Sequence, residues 1–400
     1  MSHYFDHAAT TLMRPSAILA WSEHARQMGN PSAIHGAGRA ARKVVEESRE
    51  TIASQLGLDP GEIIFTSGGT EADNIAILGI ARARRSLNPE LTMVLVSPIE
   101  HHAVLDAAYG LVSEGFTVLE LPVDPDGVID MDAVRDLVDA HADKIAVAGC
   151  MWVNNEIGTI QPVDQLAAIM AEHSIPYHCD AVQAGPVWSR FDPPSPQSGS
   201  GRPIPSQSGP HRFPQSGLVS LALSAHKIGG PMGVGALILP RTMPIQPIAF
   251  GGGQERKLRS GTVPVPLVAS FAAAVREAGD NHEEHLRLTS LSIRLESILT
   301  GVNAEIVGRD RTPAIAYALF EGCRAQDLVV LLDQQGIFVS TGSACTAGVV
   351  QPSHVLLAMG RSAEESLAGL RFSLGWSTTD DDLDALAAAL PGVVAQARRI

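Results

Sequence analysis

Short apolar runs alternate with longer segments of helical periodicity through roughly the first 240 residues of the chain. Segments with apolar positions at helical spacing lie between the runs, for example at 71–80. Strands that alternate with helices in this way predict a mostly parallel sheet with helices on both of its faces. The runs typical of buried strands occupy residues 62–65, 93–97, 145–152, 175–179 and 218–223. The pattern therefore predicts an α/β fold.

Chemically active side chains follow two of these runs. Asp180 and Gln183 come after the run 175–179, and Lys227 follows 218–223 among small residues and beside a histidine. The carboxyl ends of strands are where open α/β sheets bind ligands. A carboxylate there can pair with a protonated pyridine nitrogen, and a partly desolvated lysine can attack a carbonyl cofactor. Taken alone, Asp180 can also be a helix cap and Lys227 a surface lysine.

A glycine-rich turn at 66–70 separates a strand-like run from the helical segment 71–80. Backbone N–H groups and hydroxyls converge at such a helix start, which suits an anion. The turn lacks both the GK[ST] ending of a P-loop and the GxGxxG dinucleotide pattern, so nucleotide binding is disfavoured. In a later loop, His101 can stack on a flat ring and move protons, although a surface histidine is the default interpretation.

Cys345 stands between two glycines in the segment STGSACTAG at 340–348. A thiol on a pliable segment suits a mobile nucleophile better than a core residue. Cys150 and Cys179 lie in apolar runs and Cys323 follows a glycine in a predicted turn, so small-hydrophobe roles are expected for them. The sequence contains no CxxC pair, which disfavours a structural zinc site, and no metal is expected.

A phosphate-binding turn, an aspartate, a histidine and a lysine at successive strand ends describe a pyridoxal phosphate site. With these motifs the chain resembles a cysteine desulfurase of the NifS/IscS type, within the class-V aminotransferase group of fold-type-I enzymes. The resemblance runs nearly end to end. Beyond the motifs above, it includes YFDHAATT at 4–11, NPSAIH at 30–35, VNNEIG at 153–158, GGGQE at 251–255, RSGT at 259–262 and RFS at 371–373.

The resemblance implies a large domain at 15–263 with a seven-stranded type of sheet, and a smaller α/β domain formed by 1–14 and 264–400. The cofactor implied is pyridoxal 5'-phosphate. The smaller domain would carry the loop with Cys345 and the arginine at 371 over the cleft.

The resemblance also implies a role for each motif residue around the cofactor. Lys227 would bind it covalently and later move the substrate α-proton. His101 would stack on the ring and act in acid–base steps. Asp180 would pair with the ring nitrogen and Gln183 with the phenolic oxygen. The residues that would bind the phosphate are Gly69, Thr70, Ser224 and His226, joined by Thr262 of the partner subunit in a homodimer.

On the substrate side, the resemblance implies that Asn155 contacts the cofactor and, with Arg371, grips the substrate carboxylate, for which a guanidinium has the right shape. Cys345 would attack the substrate sulfur and leave alanine and an enzyme persulfide. Its setting at 341–345 resembles the long-loop branch of the family, which favours a mobile Cys345 that passes sulfur directly to an acceptor protein, either an iron–sulfur scaffold or a tRNA-thiolating enzyme.

Two alternatives stand beside the desulfurase. One is a selenocysteine lyase or another class-V aminotransferase-like enzyme, in which Cys345 matters less. The other is a non-catalytic homologue that acts as a partner in sulfur transfer.

The segment 191–217 departs from the family pattern, which predicts a much shorter connection there. It reads FDPPSPQSGSGRPIPSQSGPHRFPQSG, a composition that cannot bury a core, so we expect a flexible excursion. A tolerated surface insertion is the preferred interpretation, and a regulatory or docking segment is the alternative.

Composition limits the class of partner and compartment. The net charge of −14 argues against a nucleic-acid surface, because phosphate contacts need clustered lysine and arginine. No apolar stretch approaches the roughly 20 residues of a membrane span. Few cysteines together with a reactive thiol suit a reducing cytoplasm.

Overall fold

The computed structural model describes residues 2–185, 219–279, 282–342 and 351–399. The predicted excursion at 191–217 and Cys345 lie outside these described residues. The strands are β1 (His3–Tyr4), β2 (Ile63–Thr66), β3 (Met93–Val96), β4 (Thr117–Glu120), β5 (Ile145–Gly149), β6 (Tyr177–Asp180), β7 (Val219–Ser224), β8 (Gly235–Ile238), β9 (Glu305–Val307), β10 (Ile315–Leu319), β11 (Ile337–Phe338) and β12 (Gly369–Ser373). The α-helices are α1 (Pro15–His24), α2 (Gly36–Leu56), α3 (Gly69–Leu87), α4 (His102–Gly110), α5 (Met131–His141), α6 (Val163–Glu172), α7 (Val265–Gly279), α8 (His282–Thr300), α9 (Ala325–Asp333), α10 (His354–Ala358) and α11 (Asp380–Ala397).

Seven strands form the central sheet in the order β2-β8-β7-β6-β5-β3-β4. β8 runs antiparallel to both of its neighbours, and the other pairs are parallel. Strands β5, β6 and β7 are buried along their whole length, which is why they read as unbroken apolar runs in the sequence. The predicted α/β class with a mostly parallel sheet is confirmed.

Helices cover both faces of this sheet. Successive strand residues point to opposite faces, so Ile64 and Val94 pack with the side chains of α3 and α4. Their neighbours Phe65 and Leu95 pack on the other side, with side chains of α2, α6 and α7. The two hydrophobic layers hold the carboxyl ends of the strands and the start of α3 in a fixed relation.

A second, three-stranded antiparallel sheet has the order β12-β10-β9. Side chains from α8, α9 and α11 form a separate core with it, and Phe5 of the amino-terminal arm joins that core. Helix α11 begins with a capping box between Thr379 and Asp382, as expected for an acidic helix start. Helix α7, which precedes α8, packs elsewhere. Its side chains Val268, Phe271 and Val275 lie in the core of the central sheet. Helix α7 therefore buries its apolar side chains against the large sheet.

The strand ends extend further than the apolar runs predict. Asp180 and Ser224 are the last residues of β6 and β7, because the pairing of the strands continues through Asp180 with Ala222 and through Ser224 with Gly235. Helix α3 likewise begins within the predicted turn.

Candidate active site

A cavity of about 420 Å³ opens where β6 and β7 end and α3 begins. Ten side chains or backbone positions singled out from the sequence line it: Gly69, Thr70, His101, Asn155, Asp180, Gln183, Ser224, His226, Lys227 and Arg371. Thr262 does not line this cavity and is exposed in the described chain. A cavity of this size accommodates a small organic ligand.

Lys227 lies in a short 3₁₀ turn directly after β7. Its Nζ donates to the carbonyl of Ala8 and, over 2.8 Å, to that of Ala9. Burial and, second, the positive charge of Arg371 together lower the pKa of Lys227 to about 8, against the opposing effect of the carboxylates Asp180 and Asp6. The amine therefore loses its proton far more readily than an exposed lysine does.

Asp180 and His101 face the cavity from different loops. Asp180 Oδ1 accepts a hydrogen bond from the backbone N–H of Val182 over 2.9 Å. Burial raises the pKa of Asp180, while His101 and Lys227 oppose that rise. His101 caps α4, and its Nδ1 accepts from the N–H of Ala103 over 3.1 Å, so the proton of the neutral ring is on Nε2. Burial lowers the pKa of His101 and favours that neutral form.

The start of α3 forms one end of the cavity, and its chemistry suits an anion. The helix is 19 residues long and has no side-chain cap, so its first N–H groups are left for a ligand. A Cβ at Gly69 would lie 2.6 Å from Cγ2 of Val182, which a larger residue cannot tolerate without movement. Close by, His226 Nδ1 is 3.2 Å from Thr10 Oγ1. Burial lowers the pKa of His226 to about 4, with Lys227 as a second cause, so its ring is neutral.

Arg371 lies in β12 and reaches the cavity from the smaller sheet. Its Nη1 donates to the carbonyl of Asn155 and its Nη2 to Asp6 Oδ1, each over 2.7 Å. Its Nε is buried and finds no acceptor among the described residues. The guanidinium is thus partly neutralised by Asp6 and keeps one unused donor. Gln183, whose Nε2 donates to the carbonyl of Ala8 over 2.8 Å, completes this side of the cavity.

The sequence analysis assigned no role to several polar residues at the cavity, among them four of its wall and Asp6, which lies next to Arg371. His102 and His354 have their ring centroids 4.9 Å apart. Glu156 Oε2 accepts from Ser353 Oγ over 2.6 Å. The remaining two are Asp6, which pairs with the arginine described above, and Asp73, which lies one helical turn after the start of α3. The spacing of four residues between Gly69 and Asp73 could have indicated Asp73 from the sequence. No sequence signal indicated His354.

The four cysteines divide into two groups. Cys150, Cys179 and Cys323 are buried, in agreement with the expected small-hydrophobe roles. Burial raises the pKa of the Cys150 and Cys179 thiols well above the ordinary value, so they are poor sources of thiolate. Cys345 lies outside the described residues. Gly342, which precedes it by three positions, lines the cavity.

The described residues contain neither a candidate metal site nor a helix suited to a membrane. Within the ranges that the structure covers, no group of three or more histidine, cysteine, aspartate or glutamate side chains is arranged to hold a metal ion. In the same part of the chain, no helix combines the length and the apolar character that a membrane crossing needs.

Comparison with known proteins gives a consistent result along the whole chain. The class-V aminotransferase family matches residues 3–187 and 207–386. An IscS-like cysteine desulfurase of Mycobacterium tuberculosis is 44% identical over 407 residues, which cover 99% of this chain and 97% of that protein. A cysteine desulfurase IscS of Methanosarcina thermophila is 36% identical, with 99% and 93% covered. A solved NifS-like protein superposes with a TM-score of 0.86 at 31% identity, covering 99% of this chain and 100% of that one.

Proposed function

From the premise that this chain belongs to the class-V aminotransferase family, as a cysteine desulfurase of the NifS/IscS type, we propose how its residues divide the work. The enzyme depends on pyridoxal phosphate and takes cysteine as its substrate. The observation that carries the assignment of residues is the convergence of a lysine of lowered pKa, a buried aspartate and a buried arginine on one cavity.

The cavity fits the cofactor on three counts. Its volume of about 420 Å³ suits a small aromatic phosphate. The start of α3 has no side-chain cap, so its first N–H groups are left to bind an anion. At the opposite side, the unused Nε of Arg371 leaves a donor for a substrate carboxylate.

The anion end would bind the phosphate through backbone N–H groups and short polar side chains. The N–H groups of Gly69 and Thr70 belong to the first turn of α3, where the helix dipole favours negative charge. Ser224 adds a hydroxyl, and the neutral ring of His226 adds a nitrogen that Thr10 leaves unused. Thr262 of the partner subunit would complete this set.

Three residues would hold the ring. Asp180 would accept a hydrogen bond from the protonated ring nitrogen, Gln183 would contact the phenolic oxygen, and the flat imidazole of His101 would stack on the ring face. When bound, pyridoxal phosphate supplies an electron sink for the electrons released at the substrate α-carbon. His101 would offer Nε2–H as its donor, because Nδ1 is occupied by the N–H of Ala103.

Lys227 and Arg371 would act on the substrate. Lys227 would hold the cofactor through Nζ and would also move the substrate α-proton at Nζ, for which a pKa of about 8 is well matched to neutral pH. Arg371 orients the substrate carboxylate together with Asn155. Since Asp6 already occupies Nη2 of this arginine, the substrate would use Nε or displace Asp6.

Cys345 would accept the sulfur. Its Sγ forms a bond to the substrate sulfur as the bond from that sulfur to Cβ breaks. The electron pair of the broken bond remains on Cβ, which takes up a proton to give alanine. The sulfur is thereby oxidised to the persulfide level while the carbon is reduced, so no external oxidant is needed.

We further propose a homodimer, which agrees with large apolar side chains left uncovered in the single chain. Met28, Ile34 and Phe250 are 89%, 91% and 87% exposed. An interface between two subunits would cover such apolar side chains. Thr262 is exposed as well and stands apart from its own chain's cavity, as expected of a residue that serves a neighbour.

Two domains are part of the proposal, with the boundary moved. The amino-terminal arm 1–14 and the segment after α7 would form the smaller domain, because Phe5 packs in its core and α7 does not. The persulfide would pass to an iron–sulfur scaffold or a tRNA-thiolating enzyme. A reactive thiol among few cysteines favours the reducing cytoplasm as the compartment.

Alanine release tests this function directly. Purified enzyme given L-cysteine and a thiol reductant, without any keto acid, should form alanine and sulfide in equal amounts. A strict requirement for a keto acid would instead identify a transaminase.

A further inference from the structure

A chain of three hydrogen-bonded side chains runs from the cavity wall into the central sheet. Asp73 Oδ1 is 3.0 Å from His178 Nε2, and His178 Nδ1 is 3.0 Å from Ser220 Oγ. Asp73 is 1% exposed, and the other two are fully buried. Neither the family motifs nor the proposed mechanism uses any of the three.

Each member of the chain shares an element with a residue of the proposed site. His178 precedes Asp180 by two positions in β6, and Ser220 precedes Ser224 by four positions in β7. Even spacing along a strand places side chains on the same face of the sheet. Asp73 lies four residues after the first residue of α3, hence on the same side of that helix. His178 and Ser220 are also paired neighbours in the parallel β6–β7 ladder.

We propose that Asp73, His178 and Ser220 form a clamp that fixes the start of α3 against the ends of β6 and β7, with Asp73 as a neutral acid that donates to a neutral imidazole. The clamp sets the position of the phosphate-binding end relative to Asp180. It rests on the proposed cofactor site and makes these three positioning residues for it.

The neutral arrangement follows from burial. An aspartate–histidine ion pair would leave two charges inside the protein, whereas the neutral pair keeps the same hydrogen bond without that desolvation cost. Burial lowers the pKa of His178 to about 3. Burial also raises the pKa of Asp73 well above its ordinary value, and the nearby carboxyls of Asp180 and Glu100 raise it further.

Glu100 is a second buried carboxyl group for which the structure favours the neutral form. Its Oε1 accepts from the N–H of Met151 over 2.6 Å, while Oε2 is buried with no acceptor or donor among the described residues. A buried carboxylate oxygen without a partner is costly, so a protonated carboxyl is favoured. Burial accordingly raises the pKa of Glu100 well above its ordinary value. With Asp73 and Glu100 neutral, Asp180 keeps the negative charge that faces His101 and Lys227.

A pair of substitutions at one position separates hydrogen bonding from charge. Asp73→Asn keeps a donor toward His178 Nε2 and removes any negative charge, whereas Asp73→Ala removes the donor. Ser270→Ala is the matched control, because Ser270 is fully buried, donates to the carbonyl of Ala17 over 2.7 Å and does not line the cavity.

The measurement is the rate at which each purified holoenzyme loses bound pyridoxal phosphate, alongside the ¹⁵N NMR signals of His178 in the wild type. Asp73→Ala should lose the cofactor about tenfold faster, as expected for a buried acceptor left unpaired, and Asp73→Asn should stay within about twofold of the wild type. The ring of His178 should be neutral with its proton on Nδ1.

Three results would overturn the clamp: equal cofactor loss from Asp73→Ala and the wild type, equal loss from Asp73→Ala and the Ser270→Ala control, or a doubly protonated His178. Equal damage from Asp73→Asn and Asp73→Ala would overturn the neutral-acid assignment. Should Asp73→Ala not fold, Ser220→Ala replaces it, with faster cofactor loss expected and an unchanged rate contradicting the clamp. Borohydride reduction and peptide mapping test the site separately, because label on a lysine other than Lys227 would refute the cofactor site itself.

Discussion

Lys227 should attach pyridoxal phosphate with a pH dependence centred near pH 8, and removal of the Arg371 charge should move that centre to higher pH. An amine attacks a carbonyl only in its neutral form. Burial is the main cause that lowers the pKa of Lys227 to about 8, and the charge of Arg371 is the second cause. In Arg371→Gln the repelling charge is gone, while Asp180 and Asp6, which stabilise the ammonium, remain.

The size of the effect follows from the neutral fraction. At pH 7 an amine with a pKa of about 8 is roughly one-tenth neutral, whereas one at the ordinary value of 10.5 is neutral in only about three molecules in ten thousand. Folding therefore raises the concentration of reactive amine about 300-fold at neutral pH. The rate of attachment should rise with pH and level off above the pKa of Lys227, because only the neutral amine reacts. In Arg371→Gln it should be slower than wild type at pH 7 and similar at high pH.

Stopped-flow absorbance measures this when cofactor-free protein is mixed with pyridoxal phosphate between about pH 6 and about pH 10. Arg361→Gln is the control, because it removes the same charge from a residue that pairs with Glu305 and Glu365. Arg361 is not among the groups that shift the pKa of Lys227. A wild-type midpoint at the ordinary lysine pKa would refute the reasoning. So would an equal shift in the Arg371 and Arg361 variants.

The remaining predictions concern the ring partner, the dimer and the insertion. Asp180→Ala should bind the cofactor weakly and lose alanine formation, because an unprotonated ring is a poor electron sink; full activity would contradict its role. Mixed Lys227→Ala and Thr262→Ala chains should regain activity above either parent through one intact composite site, and a fully active monomer in sedimentation would exclude this. Shortening the segment 191–217 should leave alanine production nearly unchanged, because its composition offers few apolar groups to offset the entropy of ordering; a large loss in a folded variant would favour the docking alternative.

The site residues at strand ends could be predicted from the sequence, because the carboxyl ends of parallel strands meet at one edge of a sheet. Asp180 and Ser224 follow apolar runs, and both line the cavity. The order of elements along the chain also indicated that the turn at 66–70 would lie near these strand ends. Gly69 of that turn lines the same cavity.

Contacts that depend on tertiary packing could not be predicted from the sequence. Asp6 and Arg371 are 365 positions apart, and nothing in the local pattern of either predicts their ion pair. His178 lies inside an apolar run, and its local sequence does not indicate that it bonds to Asp73 of α3. That contact forms only when the helix packs on the sheet. The apolar face of α7 predicts that this helix is buried, but it does not predict which of the two sheets the helix covers.

Sulfur transfer to Cys345 is the central claim, and one variant tests it most directly. Cys345→Ser should keep the yellow colour of the bound cofactor and change its spectrum on addition of cysteine, because Lys227, Asp180 and Arg371 are untouched, yet it should release no alanine. Wild-type enzyme given cysteine without reductant should carry one extra sulfur on the peptide that contains Cys345, measured by mass spectrometry. Alanine and sulfide released by Cys345→Ser at the wild-type rate would contradict the account and identify a lyase that does not need this thiol.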